Sequence, residues 1–213
     1  MSDPQALILA SGSAARRALL SSAGLFFRVC PADVDEAAIK AQMTTPKKTP
    51  ITAGAEDIGA GAATIAAALA VAKAQAVSRQ HPGAFVIGAD QVLSFGGELL
   101  FKASSAAEAR FVLKRLRGHS HVLISAAALA RDGEVVWQAH QRAVLTMRKF
   151  SDAFLEQYLD QADKSVLACV GCYELEGLGV QLFEKIDGDY FTILGLPLVP
   201  LLGALREHGV VMT

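Results

Sequence analysis

Two short runs of uninterrupted apolar residues constrain this chain more than any other feature. Leu7-Ile8-Leu9-Ala10 breaks at Ser11-Gly12-Ser13 and leads to Arg16 and Arg17, and further on Phe85-Val86-Ile87-Gly88-Ala89 breaks at Asp90. Short runs without polar alternation fit strands covered on both faces. The stretch after the first run reads as a turn opening a helix, whose unpaired N–H groups and guanidinium forks suit a phosphate. The second strand is expected to deliver one carboxylate, Asp90, at its C-terminal end, where ligands gather in α/β sheets. A phosphate grip and a carboxylate at neighbouring strand ends point to metal-assisted phosphate chemistry.

The rest of the chain alternates strands and helices. A helix is expected over 14–23, stopping at Gly24 with Leu19 and Leu20 facing the core, then a short strand over 26–30. An acidic turn with Asp33, Asp35 and Glu36 follows. Pro46 and Pro50 forbid a continuous helix through 43–57, which reads as a loop. An Ala-rich helix over 62–79 and a strand over 84–89 come next, then a hairpin over 92–100 turning at Gly96-Gly97. Ser105 and Glu108 form a capping box for a helix that stops at Gly118. Strands over 121–130 and 134–145 join at Asp132-Gly133, and Ser151 starts a helix to Leu159. Asp187-Gly188 is a hairpin signal between 180–186 and 190–194, and the last helix covers 197–207. This pattern predicts an α/β fold with a mixed twisted sheet flanked by helices.

Balanced charge, 20 Lys+Arg against 21 Asp+Glu, argues against a dedicated nucleic-acid binder. The most apolar stretch, 58–72, is mostly Ala and Gly and too short for a membrane span. Asp3 stands where a signal peptide would be basic, so a cytoplasmic location is expected. Three cysteines make no disulfide framework. Cys169 and Cys172 form a lone C-x-x-C pair that would need distant ligands, such as His119 and His121, to hold zinc; two small buried side chains is the simpler reading.

Several residues can carry chemistry. Asp90 can hold Mg²⁺ or act as a general base on water, or else cap a turn. The turn with Asp33, Asp35 and Glu36 offers a second metal ligand, or is a solvated acidic loop. Ser11, Ser13 and Arg16 can grip phosphates, or form an ordinary N-cap with surface arginines. Lys73, on an otherwise apolar helix, and Lys102 can neutralise phosphate charge, although each alone reads as a surface lysine. The basic stretch 114–121 lacks interleaved aromatics and reads as a solvated helix end.

Taken together, these segments resemble the Maf family of nucleoside triphosphate pyrophosphatases along the whole chain. Leu9-Ala10-Ser11-Gly12-Ser13-Ala14-Ala15-Arg16-Arg17 is similar to the family's opening motif and Val34-Asp35-Glu36 to its acidic motif. Leu69-Ala70-Val71-Ala72-Lys73-Ala74 resembles its lysine-bearing helix and Gly88-Ala89-Asp90-Gln91-Val92 its catalytic strand. Phe101-Lys102-Ala103 stands where the family has Gly-Lys-Pro, and Tyr173 to Gly177, Gly188 and Gly195-Leu196-Pro197-Leu198 resemble its C-terminal motifs.

The resemblance implies one domain over 1–213, made of two lobes around a central cleft. A nucleoside triphosphate would bind there with a divalent cation, Mg²⁺ or Mn²⁺, and water would attack the α-phosphorus to release pyrophosphate and a monophosphate. Asp90 would be the general base or a metal ligand and Glu36 a second ligand. Ser11, Arg16, Lys73 and Lys102 would bind phosphates. Ala15, Gln91 and Glu176 occupy specificity positions, and Gln91, Glu176 and Cys169 resemble the subgroup that hydrolyses 7-methyl-GTP. A carboxylate suits the N1–H and N2 amino edge of guanine and a cationic methylated base. Ala14, Ala15 and Phe101 depart from the family pattern. The alternatives are a pyrophosphatase of broad or dTTP/UTP-type specificity, and a nucleotide-binding regulator of septum formation with little catalysis. Neither a homodimer nor closure of 43–57 over substrate is decided by the sequence.

Overall fold

A computed structural model describes residues 6–43, 60–162 and 164–212. The expected 43–57 loop lies outside them except for Met43. The strands are β1 (Leu7–Leu9), β2 (Arg28–Val29), β3 (Phe85–Phe95), β4 (Glu98–Leu100), β5 (Ser120–Arg131), β6 (Glu134–Met147) and β7 (Phe183–Asp187). The helices are α1 (Ala14–Ser22), α2 (Glu36–Met43), α3 (Ala60–Ser78), α4 (Ala106–Leu116), α5 (Asp152–Gln161), α6 (Tyr190–Ile193) and α7 (Leu198–Glu207). The fold is α/β, with one mixed seven-stranded sheet in the order β2-β1-β3-β5-β6-β7 and β4 paired to β3.

β1 runs parallel to both β2 and β3, whereas β3, β5, β6 and β7 are antiparallel in succession. β5 pairs along one edge of β3 from Phe85 to Ser94. On the other edge β1 ends at the Leu9–Ile87 pair and β4 begins at the Leu93–Leu100 pair. Among the described residues, 88–92 of β3 therefore have no strand beside them on that edge. This break in the sheet is where the site forms.

Asp90 does not end a strand, contrary to the expectation from the apolar run: β3 continues through it to Phe95. The same strand absorbs the first arm of the expected 92–100 hairpin, whose Gly96-Gly97 turn is present. A lone carboxylate reads as a strand end, but here Lys73 balances its charge within the sheet. Asp187-Gly188 does not turn a hairpin either. The Asp189 side chain accepts the Thr192 backbone N–H at 2.8 Å and starts α6 where a returning strand was expected. Gly188 has φ 147° and packs so tightly on Ala143 that a Cβ would lie 2.5 Å from the alanine's own Cβ. The strand expected over 26–30 is only two residues long, with Phe26 95% exposed. The acidic turn includes a helix start: Asp35 Oδ1 accepts the Ala38 N–H at 2.9 Å, and Glu36 opens α2.

Helices cover both faces of the sheet. α3 packs on β3 and β5 through Ile65, Ala66, Leu69, Ala70 and Ala74. Its alanines bring the backbone so close to β3 that a Cβ on Gly88 would lie 2.1 Å from the Ala70 carbonyl oxygen. By length and composition Gly61–Ser78 is apolar enough to cross a membrane, and 44% of it is buried inside the protein. On the opposite face, Leu19 and Leu20 of α1 and Leu201 and Leu205 of α7 pack with Ile87 and Leu129. A second core lies under α4 and α5, around Leu113, Leu116, Leu155 and Tyr158.

Candidate active site

The break in the sheet opens into a cavity of about 1020 Å³. Its walls include Ser11, Ala15, Arg16, Glu36, Lys73, Asp90, Gln91, Lys102 and Glu176, whereas Asp33 and Asp35 of the acidic turn do not line it.

The floor is a charged cluster held by regular elements. Strand alternation turns Gly88 and Asp90 toward α3, and the glycine lets the helix approach closely enough for Lys73 to reach the carboxylate. Lys73 Nζ lies 2.6 Å from Asp90 Oδ1 and 2.7 Å from Glu36 Oε1, so one ammonium joins two carboxylates. Glu36 Oε2 in turn meets Lys40 Nζ at 3.2 Å. Desolvation pulls the Glu36 carboxyl upward, but the hydrogen bonds and charges of Lys73 and Lys40 together leave it below the usual value.

Arg16 is buried, and its guanidinium ties three segments together. Nε donates to the Gly195 carbonyl at 2.8 Å, and Nη1 donates to Ser11 Oγ and the Ala89 carbonyl, both at 3.0 Å. The Ala89 carbonyl lies on the stretch of β3 left open between β1 and β4, so Arg16 satisfies an acceptor that a neighbouring strand would otherwise take. Burial lowers the Arg16 pKa, and the charges of Asp90 and Glu36 oppose that shift. Among the described residues no hydrogen bond engages Nη2. Ser11 Oγ also accepts the Ser13 N–H at 3.3 Å, which leaves its own hydroxyl proton to donate. Ser13 caps α1 as expected, accepting the Arg16 N–H at 3.4 Å.

The opposite wall is irregular. Between 3-10 segments at Lys164–Ala168 and Leu178–Leu182 the chain presents Cys169, Glu174 and Glu176 to the cavity. Glu176 and Lys102 are exposed. Desolvation, reinforced by Glu174 and Glu176 and opposed by Lys102, pushes the Cys169 thiol up to about 11, so it is protonated near neutrality. Cys172 is fully buried, and burial pushes its thiol to about 11. The expectation of two small buried side chains thus holds for Cys172, while Cys169 faces the cavity. His119 and His121 do not join them: His119 Nδ1 meets the Arg117 carbonyl and His121 Nε2 meets Tyr173 Oη.

Gln91 points to the other sheet face. Its Nε2 lies 2.9–3.1 Å from Ser125 Oγ and the Thr192 and Ile193 carbonyls. Three acceptors around one amide nitrogen turn the amide so that Oε1, an acceptor, is the atom left over.

Lys40 and Glu174 were missed in the sequence. Lys40 lies four residues after Glu36 on a helix whose start was masked by its acidic turn, and its Nζ sits 5.5 Å from the centre of the Phe101 ring. Glu174 lies two residues before Glu176, a spacing that could have drawn attention to it.

No group of three or more His, Cys, Asp or Glu side chains able to hold a metal occurs among the described residues. The donor set is the Asp90–Glu36 pair. Hard carboxylate oxygens suit Mg²⁺ or Mn²⁺, and Mg²⁺ is commonly held by one or two carboxylates together with substrate phosphates. That both carboxylates converge on the Lys73 ammonium marks a point that favours positive charge. The pair therefore fits such a cation.

Comparison with known proteins agrees with the resemblance. The family described as Maf-like protein matches residues 6–208. A protein of Rhizobium etli named 7-methyl-GTP pyrophosphatase is 47% identical over 205 residues, covering 96% of this chain and 97% of that one. A protein of Caulobacter vibrioides named nucleoside triphosphate pyrophosphatase is 49% identical over 201 residues, 94% of each chain. Among solved structures, a nucleoside-triphosphatase / dITP/XTP pyrophosphatase from Mycobacterium abscessus covers 97% of this chain and 96% of its own, at 14% identity and a TM-score of 0.37. The family match spans β1 to α7 and so contains both the charged floor and the wall around Glu176: the chain belongs to the Maf family.

Proposed function

We propose that this protein is a nucleoside triphosphate pyrophosphatase that hydrolyses 7-methyl-GTP, or a closely related modified purine nucleotide, to the monophosphate and pyrophosphate. The observation that carries this reading is the Asp90–Lys73–Glu36 bridge at the base of a cavity large enough for a nucleotide. The Rhizobium etli relative is named for 7-methyl-GTP and the Caulobacter vibrioides relative for nucleoside triphosphates in general.

Phosphoanhydride hydrolysis needs charge neutralisation and an oriented water. Asp90 and Glu36 would hold Mg²⁺ or Mn²⁺. When bound, the cation supplies charge neutralisation on the triphosphate oxygens and lowers the pKa of bound water. Lys73 holds the two carboxylates together and brings positive charge to the floor. Asp90 accepts the proton of the attacking water as the α-phosphorus is approached. The Ser11 hydroxyl and Arg16 Nη2 donate to phosphate oxygens, and Lys102 caps the outer phosphates from the exposed rim. Arg16 has a second task, because its bonds to Ala89 and Gly195 keep the floor in register.

Base recognition belongs to the acceptors. Gln91 Oε1 and the Glu176 carboxylate offer lone pairs and no protons, which suits a base edge rich in N–H donors. Glu174 adds negative charge beside them, which favours a cationic 7-methylated base. Ala15 presents no bulky side chain to the cavity, so discrimination falls on this wall.

The test is pyrophosphate release with Mg²⁺ or Mn²⁺ across 7-methyl-GTP, GTP, ATP, dTTP, UTP and CTP, for the wild type and Asp90→Asn. The expected result is preferential turnover of 7-methyl-GTP and a loss of at least about a hundredfold in the variant, the scale of removing a general base, with triphosphate binding retained. Equal turnover of all six would replace the reading with a broad-specificity enzyme. Binding without turnover would favour a nucleotide-dependent regulator.

A further inference from the structure

The wall that carries Glu174 and Glu176 has no regular secondary structure to hold it, yet two buried hydrogen bonds fasten it. Cys172 has φ 58°, a left-handed conformation that side-chain-bearing residues rarely adopt. Its carbonyl accepts a hydrogen bond from Tyr158 Oη, on α5, at 3.0 Å. The next residue, Tyr173, shares a hydrogen bond of 2.7 Å with His121 Nε2, on β5. Both tyrosines are buried and His121 is 1% exposed. The Tyr173 ring stands edge-on to Phe183 with centroids 4.8 Å apart, and a Cβ on Gly171 would lie 2.2 Å from the Tyr173 ring. The peptide plane of residue 172 and the ring of residue 173 are thus held from two separate elements.

His121 is the unusual member. Among the described residues its buried Nδ1 has no hydrogen-bond partner, and Tyr173 is its one polar partner. A buried imidazole with one orphaned nitrogen is a poorer core residue than an aromatic or aliphatic one. Its contact with Tyr173 is what it adds to the site.

We propose that His121 and Tyr158 are positioning residues that set the geometry of the 169–176 wall, and with it the discrimination between bases, without touching the nucleotide. This rests on the reading above that the wall faces the base.

Tyr158→Phe, His121→Phe and His121→Gln test it. KM and kcat are measured for 7-methyl-GTP and UTP, with inhibition by inorganic tripolyphosphate, which has no base, as the control for the floor. Tyr158→Phe and His121→Phe are expected to raise KM for 7-methyl-GTP about tenfold, the scale of one lost hydrogen bond. The kcat should change little, the preference over UTP should fall, and tripolyphosphate inhibition should be unchanged. His121→Gln keeps a polar partner for Tyr173 and should restore part of the preference. Proportional losses on both nucleotides and on tripolyphosphate, or an unchanged preference in folded variants, would overturn the proposal. Tyr158→Phe removes a single oxygen atom and serves if His121→Phe does not fold. Amide hydrogen exchange at 171–176 separates the two readings. If the wild type shows no base preference, the base-facing role of the wall fails by itself. Faster exchange in Tyr158→Phe then still supports the latch, and unchanged exchange overturns it.

Discussion

The floor and the wall of the cavity are built in opposite ways. The floor takes Asp90 from the middle of β3, Lys73 from α3 and Arg16 from α1, elements whose backbone bonds are made elsewhere and whose positions follow from the sheet. The wall takes Cys169, Glu174 and Glu176 from an irregular segment with a left-handed residue, held by tyrosine hydroxyls. On the proposed function, the charge cluster that would meet a triphosphate in one geometry sits where displacement is most costly. The groups proposed to sort one base from another sit where the backbone can be re-aimed without disturbing the sheet.

Substitutions on either side can break this contrast. Lys73→Met leaves Asp90 and Glu36 facing each other without the ammonium between them. It is expected to abolish turnover and to destabilise the fold by about 3 kcal/mol, the cost of removing one partner from a buried ion pair. Urea unfolding alongside pyrophosphate release measures both, and a variant of wild-type stability would mean that the floor is not held by charge. Gly88→Ala places a methyl group against the Ala70 carbonyl and should cost about 2 kcal/mol or more by overpacking. Turnover should fall with it as α3 carries Lys73 away, and a melting curve with residual activity tests this.

Acid provides a test on the wall side. Burial holds the His121 imidazole at about 4 against an ordinary 6.5. Between those values the unfolded chain binds a proton that the folded chain excludes, so this contribution is complete above pH 6.5 and is lost as pH falls toward 4. About 2 kcal/mol should disappear between pH 6.5 and pH 5, and His121→Phe should flatten that slope in unfolding curves taken across the range. The smallest stability effect is expected from Glu176→Gln. This exposed side chain should change unfolding by no more than about 0.5 kcal/mol. The preference for 7-methyl-GTP over UTP should fall severalfold; an unchanged ratio would remove Glu176 from base selection.

Much of the fold was legible because its signals are local. Ser13, Ser105 and Ser151 accept backbone N–H groups at the starts of α1, α4 and α5, as their positions before helical runs imply. Asp132 and Gly133, both at positive φ, turn β5 into β6 as expected of an Asp-Gly pair. The same dipeptide at 187–188 misled because Asp189 could cap a helix, and tertiary packing of Gly188 on Ala143 took precedence over turn propensity. Asp90 was expected at a strand end but lies in mid-strand on the cavity floor, since its balancing charge comes from a residue seventeen positions away.

The sequence by itself determined which residues are apolar in the strands and helices, where helices start, and which charged and hydroxyl side chains stand out against that background, because these depend on neighbours along the chain. Only the tertiary structure decided that Lys73 joins Asp90 to Glu36, that Arg16 fills the open edge of β3, and that His121 and Tyr158 hold the opposite wall. Each of these contacts depends on where β1 stops, where β4 begins and how closely α3 can approach Gly88, and those distances are set by packing between segments far apart in the chain.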